Sequence, residues 1–395
     1  MADATNGVLR PSIMLDLPEQ IVALNTSHGH AHNRDELDIV KFLVTKNELE
    51  YVPRVAQFLQ AVASIQTLYM WFSFPKRAVL VPGKSKECVL YHISELLRVI
   101  HHTSCKTLMF VERRPAHLLR CPGATNFQAP PDLQPVTTLD GLYISTQMLL
   151  LPPFRDWTIA SMNMSPLREL NICARDLGRG EWRKLLEPLT LPHLTLLVLG
   201  AKALNFTALH RFLRRHLSIR SLTLLEDPKG MKKQFIGRRL QSQLHTLKCT
   251  PTTLCHFLGN PRVFRWLDKI VLQPPPWSVE STVEQWNDAI RVISKRAINR
   301  PLHLELVLGL PGRPLPEYVD TEALGVMAYH VDELTLDLRH SPNLINEVPE
   351  YLRLWLTAMR NARYVRLLGH QQEWTPLSTY IDNIFPLLIE LTVVP

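Results

Sequence analysis

A repeated leucine pattern is the feature that most constrains how this chain can fold. The frame L-x-x-L-x-L occurs three times at an interval of 25 residues, starting at Leu194, Ile219 and Leu244. The last two apolar positions of each frame are two residues apart, so they share one face of a short strand. One strand cannot bury that face alone, and repeats of this length therefore stack their strands around a shared core.

The segment between the first two frames predicts how the chain returns to the next strand. Apolar residues at helical spacing occupy one side, namely Phe206, Leu209, Phe212 and Leu213. Arg211, Arg214 and Arg215 fall on the opposite side, as expected of an amphipathic helix. Asn205 is the expected N-cap of this helix. Each repeat should therefore contain a strand, a loop, a helix and a second loop.

Similar frames recur along most of the chain, at intervals of 23 to 40 residues. They start at or include Ile65, Cys105, Leu139, Leu167, Leu267, Leu304, Val331, Val365 and Leu388. Longer helices are expected at 279–297, with Val283, Trp286, Ile290 and Ile293 as the apolar stripe, and at 347–359, with Leu352, Trp355 and Met359 inward. We therefore predict an α/β fold over residues 63–395: an irregular leucine-rich-repeat solenoid (a horseshoe) with one curved parallel sheet and helices on the convex side.

Residues 1–62 are less regular, and we interpret them as an N-terminal cap of the solenoid. The segment SIMLDLP is expected to form a first strand. Two helical patterns follow, one formed by Leu37, Val40, Lys41 and Val44 and the other by Val55, Phe58, Leu59 and Val62. Such a segment would shield the first turn of the core from water.

The composition and the cysteine pattern favour an intracellular protein. No run approaches the ~18 apolar residues that a membrane helix needs, and the start of the chain lacks an apolar secretory core. The six cysteines show no paired spacing, and Cys105 and Cys249 occupy frame positions where leucine would serve. We expect free, buried thiols in a reducing compartment, the cytoplasm or the nucleus, and no membrane association.

The text LPHLTLLVL followed by ALHRFLRRHLSIRSLTL resembles the leucine-rich region of fungal F-box proteins. The resemblance is close over 189–227 and covers about 65–395 as an architecture. LDLPEQIVAL, from Leu15 to Leu24, also resembles the opening of an F-box, so residues 1–62 are interpreted as a degenerate F-box remnant. The resemblance implies substrate recognition for an SCF-type ubiquitin ligase, with the SCF adaptor as one partner and a protein substrate on the concave face.

The turns of this chain differ from those of regular leucine-rich repeats. Regular repeats place an asparagine eight residues after the first frame leucine, whereas Arg175, Lys202, Asp227 and Thr252 occupy those positions here. The side-chain ladder that would satisfy the backbone groups of the turns is therefore missing, which predicts an irregular solenoid.

The residues between and just after the frame leucines should line the concave face and contact a protein partner. They are Val198, Thr223, Lys248, Val271, Gln273, Glu305, Thr335 and Arg366. The mixture of apolar and charged side chains is typical of a protein-binding surface. We therefore predict a non-catalytic interaction scaffold, with no catalytic residue, no cofactor and no metal.

Two alternatives from other functional classes stay open. The chain carries a net charge of +8, and basic residues cluster between 202 and 239, including Arg211, Arg214, Arg215, Lys232, Lys233, Arg238 and Arg239. This basic patch could bind nucleic acid or an acidic surface, although no aromatic residues alternate with it to stack on bases. The triplet His28, His30 and His32 could instead hold a metal ion of an enzyme, but the flanking residues are typical of a polar loop.

Overall fold

A computed structural model describes residues 12–15, 36–45, 52–73, 85–112, 130, 132–230, 243–259, 264, 266–273, 283–295, 302–307, 320–337, 350–368 and 375–394. The chain divides into two compact units, Met1–Leu194 and Thr195–Pro395. Each unit is a mixed α/β structure in which parallel strands follow one another in sequence order.

The first unit contains a ladder of strands that pair in chain order, each parallel to the one before. The strands are β1 (Ser12–Leu15), β2 (Glu36–Thr45), β3 (Ser64–Ser73), β4 (Ser104–Glu112), β5 (Gly141–Ile144) and β6 (Glu169–Ile172). The helices are α1 (Val52–Ala61), α2 (Ser85–Ile100), α3 (Arg155–Met164) and α4 (Arg179–Leu186), with a short 3-10 turn at Met148–Leu150.

The second unit repeats the same plan with another ladder of parallel strands. Its strands are β7 (Leu196–Leu199), β8 (Ser221–Leu224), β9 (Thr246–Cys249), β10 (Lys269–Leu272), β11 (Leu302–Val307), β12 (Val331–Asp337), β13 (Tyr364–Leu368) and β14 (Glu390–Val394). Its helices are α5 (Phe206–Arg215), α6 (Pro251–Leu258), α7 (Val283–Ser294), α8 (Thr321–Tyr329), α9 (Glu350–Ala358) and α10 (Thr375–Ile384).

The frame residues build the core of both units. In the second unit Leu197 pairs with Leu222, which pairs with Leu247, and this row of core residues continues through Ile270 and Leu304. All five side chains are buried. We call the strand face that carries the frame residues the core face, and the opposite one the outer face. The parallel α/β arrangement is confirmed, and the horseshoe curvature stays a prediction.

Several local predictions are confirmed. Helix α5 begins after Asn205, whose side-chain oxygen accepts a hydrogen bond from the backbone N–H of Thr207. The apolar side of α5 is buried and its three arginines are exposed. Leu352 and Trp355 of the stripe predicted for helix α9 are buried. Met359, the residue directly after the end of α9, is buried as well.

One predicted helix is wrong. Leu37, Val40, Lys41 and Val44 belong to strand β2, not to a helix. Strand β2 lies between β1 and β3, and its Val40 and Phe42 pair with the buried Leu68 and Met70. Tertiary pairing therefore outweighs the helical spacing of a short apolar run.

Of the helix predicted at 279–297, the described residues include α7 at Val283–Ser294, and residues 279–282 lie outside them. Trp286, Ile290 and Ile293 of its predicted stripe are buried, but Val283 is exposed. Its expected cap, Ser278, lies outside the described residues. The predicted division into an N-terminal cap or F-box remnant at 1–62 and a solenoid at 63–395 stays a prediction.

No helix in the described parts of the chain is long and apolar enough to cross a membrane.

Cys105 and Cys249 are free and buried at core-face positions, as predicted. Burial raises the pKa of the Cys105 thiol to about 12, so this side chain acts as a small apolar residue of the core.

Candidate binding face of the second unit

The residues predicted to contact a partner form one line across the second unit. The register pairs Val198 with Thr223, then continues in order through Lys248, Val271, Glu305, Thr335 and Arg366. We call these seven residues the outer row. Gln273, the eighth predicted residue, lies two positions after Val271 and directly follows the end of β10. The frame spacing therefore predicted which residues share a level of the outer face.

The members of the outer row differ in how far they are exposed to solvent. Val198, Thr223 and Lys248 are half-buried and Arg366 is exposed. A buried group separates them, consisting of Val271, Gln273, Glu305 and Thr335. The amide nitrogen of Gln273 donates to the backbone carbonyl of Leu224 at 3.2 Å, so this side chain reaches past β9 and bonds to β8. The two ends of the row are therefore more accessible than its middle.

The buried middle of the row is held by ion pairs and hydrogen bonds between neighbouring strands. Lys269 Nζ lies 2.8 Å from a carboxylate oxygen of Glu305. His303 Nε2 lies 2.8 Å from the Thr335 hydroxyl, and His303 Nδ1 lies 3.4 Å from Glu333. These pairs connect β10 to β11 and β11 to β12, so the polar side chains of the outer face stabilise the pairing of the strands.

The imidazole of His303 is neutral in this environment. Burial, together with the positive charges of Lys269 and Arg366, lowers its pKa to about 4. The carboxylate of Asp268 opposes this effect but does not outweigh it. A neutral imidazole has one nitrogen that accepts and one that donates, which suits its position between the Thr335 hydroxyl and Glu333.

Thr335, His303 and Glu333 stand in the order of a nucleophile, a base and an orienting carboxylate. However, Thr335 is only 1% exposed, so a substrate carbonyl has no approach to its hydroxyl. The arrangement is therefore better explained as a hydrogen-bonded network of the outer face than as a catalytic triad. Within the described residues, no cluster of three His, Cys, Asp or Glu side chains could hold a metal ion, and His28, His30 and His32 lie outside those residues.

The basic patch is described only in part. Arg211, Arg214 and Arg215 are exposed on the polar side of α5. The remaining members fall outside the described residues, namely Lys232, Lys233, Arg238 and Arg239. Arg214 and Arg215 lie in the last turn of α5, where cations interact favourably with the helix dipole.

Sequence reasoning missed a set of large side chains on the outer face of the first unit. Tyr69 pairs with Met109, and Met109 pairs with Tyr143, so the three residues form one row across β3, β4 and β5. Trp71 lies two residues after Tyr69 and is 47% exposed. A signal was present in the segment IQTLYMWF of β3, where aromatic residues alternate with the buried frame residues. We call Tyr69, Trp71, Met109 and Tyr143 the aromatic face.

No protein-family model matches this sequence, and no curated protein matches it. Evidence for function therefore lies in the side chains that the two ladders expose. In the second unit these are the accessible ends of the outer row, and in the first unit they are the aromatic face. Both are surfaces built from successive parallel strands.

Proposed function

We propose that this protein is a non-catalytic interaction scaffold that binds a protein partner through the outer face of its second unit. The observation that carries the proposal is the outer row, which is continuous from Val198 on β7 to Arg366 on β13. Successive strands are about 4.8 Å apart, so the row spans about 29 Å, the width of a standard protein interface. Rigid strands also hold the contact residues in place before binding, which lowers the entropic cost of association.

Charge supports a protein partner with mixed charges at its contact surface. Lys248 has no carboxylate within 4.0 Å among the described residues, so its ammonium is available to an acidic group. At the other end of the row, Arg366 lies 3.8 Å from Glu333 and is 48% exposed, so it can also contact a partner. Exposed charges of this kind increase association rates and select partners more than they add affinity.

The resemblance to fungal F-box proteins extends this proposal to substrate recognition for an SCF-type ubiquitin ligase. In that role the second unit would bind the substrate, and residues 1–62 would contact the SCF adaptor. The two parts of the proposal are separable because they use different residues. Copurification of the adaptor would support the ligase role, and its absence would leave the binding face as an independent scaffold.

The experiment compares affinity capture by the wild-type protein with capture by two charge-reversal variants. The first, Lys248→Glu with Arg366→Glu, changes both accessible ends of the outer row. The second, Arg211→Glu with Arg214→Glu, makes the same change in net charge on helix α5, away from the row. Quantitative mass spectrometry measures which proteins each variant retains, and circular dichroism checks that both variants are folded.

The expected result is a protein that the wild type and the α5 variant retain and that the outer-row variant loses by at least about tenfold. Equal capture by all three proteins would refute a partner on the outer row. Loss confined to the α5 variant would favour the basic patch, and salt-dependent binding of nucleic acid would then be the function to measure.

A further inference from the structure

The aromatic face of the first unit has the side-chain chemistry of a binding surface. Tyrosine, tryptophan and methionine are enriched where proteins contact one another, and tyrosine and tryptophan contribute much of the binding energy. Trp71 is 47% exposed although it lies in the middle of the sheet, where a solvent-exposed strand would ordinarily carry polar residues. Tyr69, Met109 and Tyr143 are half-buried beside it.

The two tyrosine rings are held in place by their neighbours. The ammonium of Lys41 lies over the ring of Tyr69, 5.5 Å from its centroid. The hydroxyl of Tyr143 donates a hydrogen bond to Glu169. A Cβ atom at Gly141 would lie 3.3 Å from Cε2 of the Tyr143 ring, so the ring lies against the strand at Gly141. A glycine at this position lets the ring lie close to the backbone of the sheet.

The spacing of the rings matches the repeat of one peptide conformation. Tyr69 and Tyr143 occupy the same level of the ladder and are two strands apart, a separation of about 9.6 Å. A polyproline II helix has three residues per turn and rises about 9.3 Å over that turn. Residues i and i+3 of such a peptide, crossing the strands, would therefore fall on Tyr69 and Tyr143 in succession.

Residues of opposite charge flank the aromatic face, so its two ends differ. Lys41 is on β2 and Glu169 is on β6, two strands that are four spacings, or about 19 Å, apart across the sheet. Lys41 is level with Tyr69, and Glu169 pairs with Gly141, two residues before Tyr143. Among the described residues, neither has a side chain of opposite charge within 4.0 Å. Six residues of polyproline II also span about 19 Å. Opposite charges at the two ends of a short peptide would meet Lys41 and Glu169 at once.

We propose that the aromatic face binds a proline-containing segment of a partner protein in the polyproline II conformation, with an acidic residue beside Lys41 and a basic residue beside Glu169. Proline rings stack on tyrosine and tryptophan, and the peptide loses little entropy on binding because its conformation exists in the free state. This site uses residues of the first unit alone and is independent of the outer row in the second unit.

The experiment measures binding of two fluorescently labelled seven-residue peptides to the full chain by fluorescence polarisation. Both begin with glutamate and end with arginine. One has the sequence Pro-Pro-Ala-Pro-Pro between these charges, and the other has Gly-Gly-Ala-Gly-Gly. The wild-type protein should bind the proline peptide at least about tenfold more tightly than the glycine peptide, because only the proline peptide is already extended.

Matched variants locate the binding site. Tyr69→Ala and Tyr143→Ala should each weaken binding of the proline peptide by about tenfold or more. Tyr91→Ala, which removes an exposed tyrosine from helix α2 of the same unit, should change binding by less than about twofold. Gly141→Ala should also weaken binding, because the added methyl group displaces the Tyr143 ring. Thermal unfolding of each variant separates loss of binding from loss of fold.

Three outcomes would overturn this inference. They are equal binding of the two peptides, no binding of either, and equal effects of Tyr69→Ala and Tyr91→Ala. The outer-row variant Lys248→Glu with Arg366→Glu should bind the proline peptide as the wild type does. Failure of the proposal for the second unit would therefore leave this result unchanged, and the reverse also holds.

Discussion

At the scale of single residues, His303 links its own titration to the stability of the outer face. Its imidazole is 17% exposed and contacts the Thr335 hydroxyl and Glu333. Burial and the nearby cations Lys269 and Arg366 lower its pKa to about 4. In the unfolded chain a histidine titrates near pH 6.5. The unfolded state therefore binds a proton before the folded state does, as the pH falls.

This difference predicts a loss of stability in weak acid. The contribution of His303 is fully present above about pH 6.5 and decreases as the pH falls from 6.5 toward 4. We expect its effect on the free energy of unfolding to be about 1–3 kcal/mol, reduced by solvent screening. His303→Gln, which can still bond to Thr335, should flatten this part of the curve in urea unfolding between pH 4 and pH 7.

The control is His102→Gln, which replaces an exposed histidine of the first unit. It should leave the pH dependence of the unfolding free energy as it is in the wild type. An unchanged curve for His303→Gln would mean that other groups cause any acid sensitivity. Among those groups are His210 and His216, whose pKa values are lowered by burial as well.

At the scale of elements, the turn after β8 shows how this chain replaces the missing asparagine ladder. Asp227 occupies one of the positions where a regular repeat has asparagine. Its carboxylate accepts hydrogen bonds from the hydroxyls of Thr250 and Thr253, both fully buried at the start of helix α6. Thr250 in turn caps α6 by accepting from the backbone N–H of Thr253. An acidic side chain thus links one turn to the next helix.

Removal of this carboxylate should destabilise the second unit. Asp227→Ala would remove a carboxylate that accepts hydrogen bonds from two buried threonine hydroxyls, at a cost of about 1–3 kcal/mol in the free energy of unfolding. Asp227→Asn keeps an acceptor oxygen and should cost less. Urea unfolding measures both values. Asp382→Ala, at an exposed position of helix α10, should stay within about 0.5 kcal/mol of the wild type. An equal effect of Asp227→Ala and Asp382→Ala would show that the carboxylate of Asp227 does not stabilise the turn.

Helix α5 and strand β2 show when a sequence pattern is sufficient to predict the secondary structure of a segment. Helix α5 was predictable because Asn205, a complete apolar stripe and an arginine face agree on one structure. Strand β2 was not, because Leu37, Val40 and Val44 fit a helical spacing as well as an alternating one. Its pairing with β1 and β3 decides the outcome, and that pairing is made with residues distant in the sequence.

At the scale of the whole molecule, each unit is stabilised by contacts between neighbours in a parallel ladder. Every strand in the described part of the second unit pairs with the strand before or after it in the chain. In such an arrangement stability is close to a sum of terms for each repeat and for each interface between adjacent repeats. A local defect should therefore weaken its neighbours first.

A core substitution in the middle of the regular repeats tests this expectation. Leu247→Ala in β9 should destabilise the second unit by about 2–5 kcal/mol, because Leu247 is fully buried between Leu222 and Ile270. Hydrogen exchange followed by mass spectrometry should show the largest loss of protection in β8, β9 and β10, and a smaller one in β13. Thr223→Ala, on the outer face of β8, serves as the control and should cost less than about 1 kcal/mol. Equal loss of protection in all strands would indicate one cooperative unit instead.

The sequence by itself determined the parallel order of the repeats, because the frame leucines alternate at a period that only stacked strands can bury. It also determined which residues share the outer row, since register follows from the frame. Only the tertiary structure decided which of those residues are accessible. Exposure of Arg366 and burial of Thr335 depend on side chains from other strands and segments, and no spacing within one repeat specifies them. The aromatic face also depends on the tertiary structure, since Tyr69, Met109 and Tyr143 form one row only when β3, β4 and β5 lie side by side.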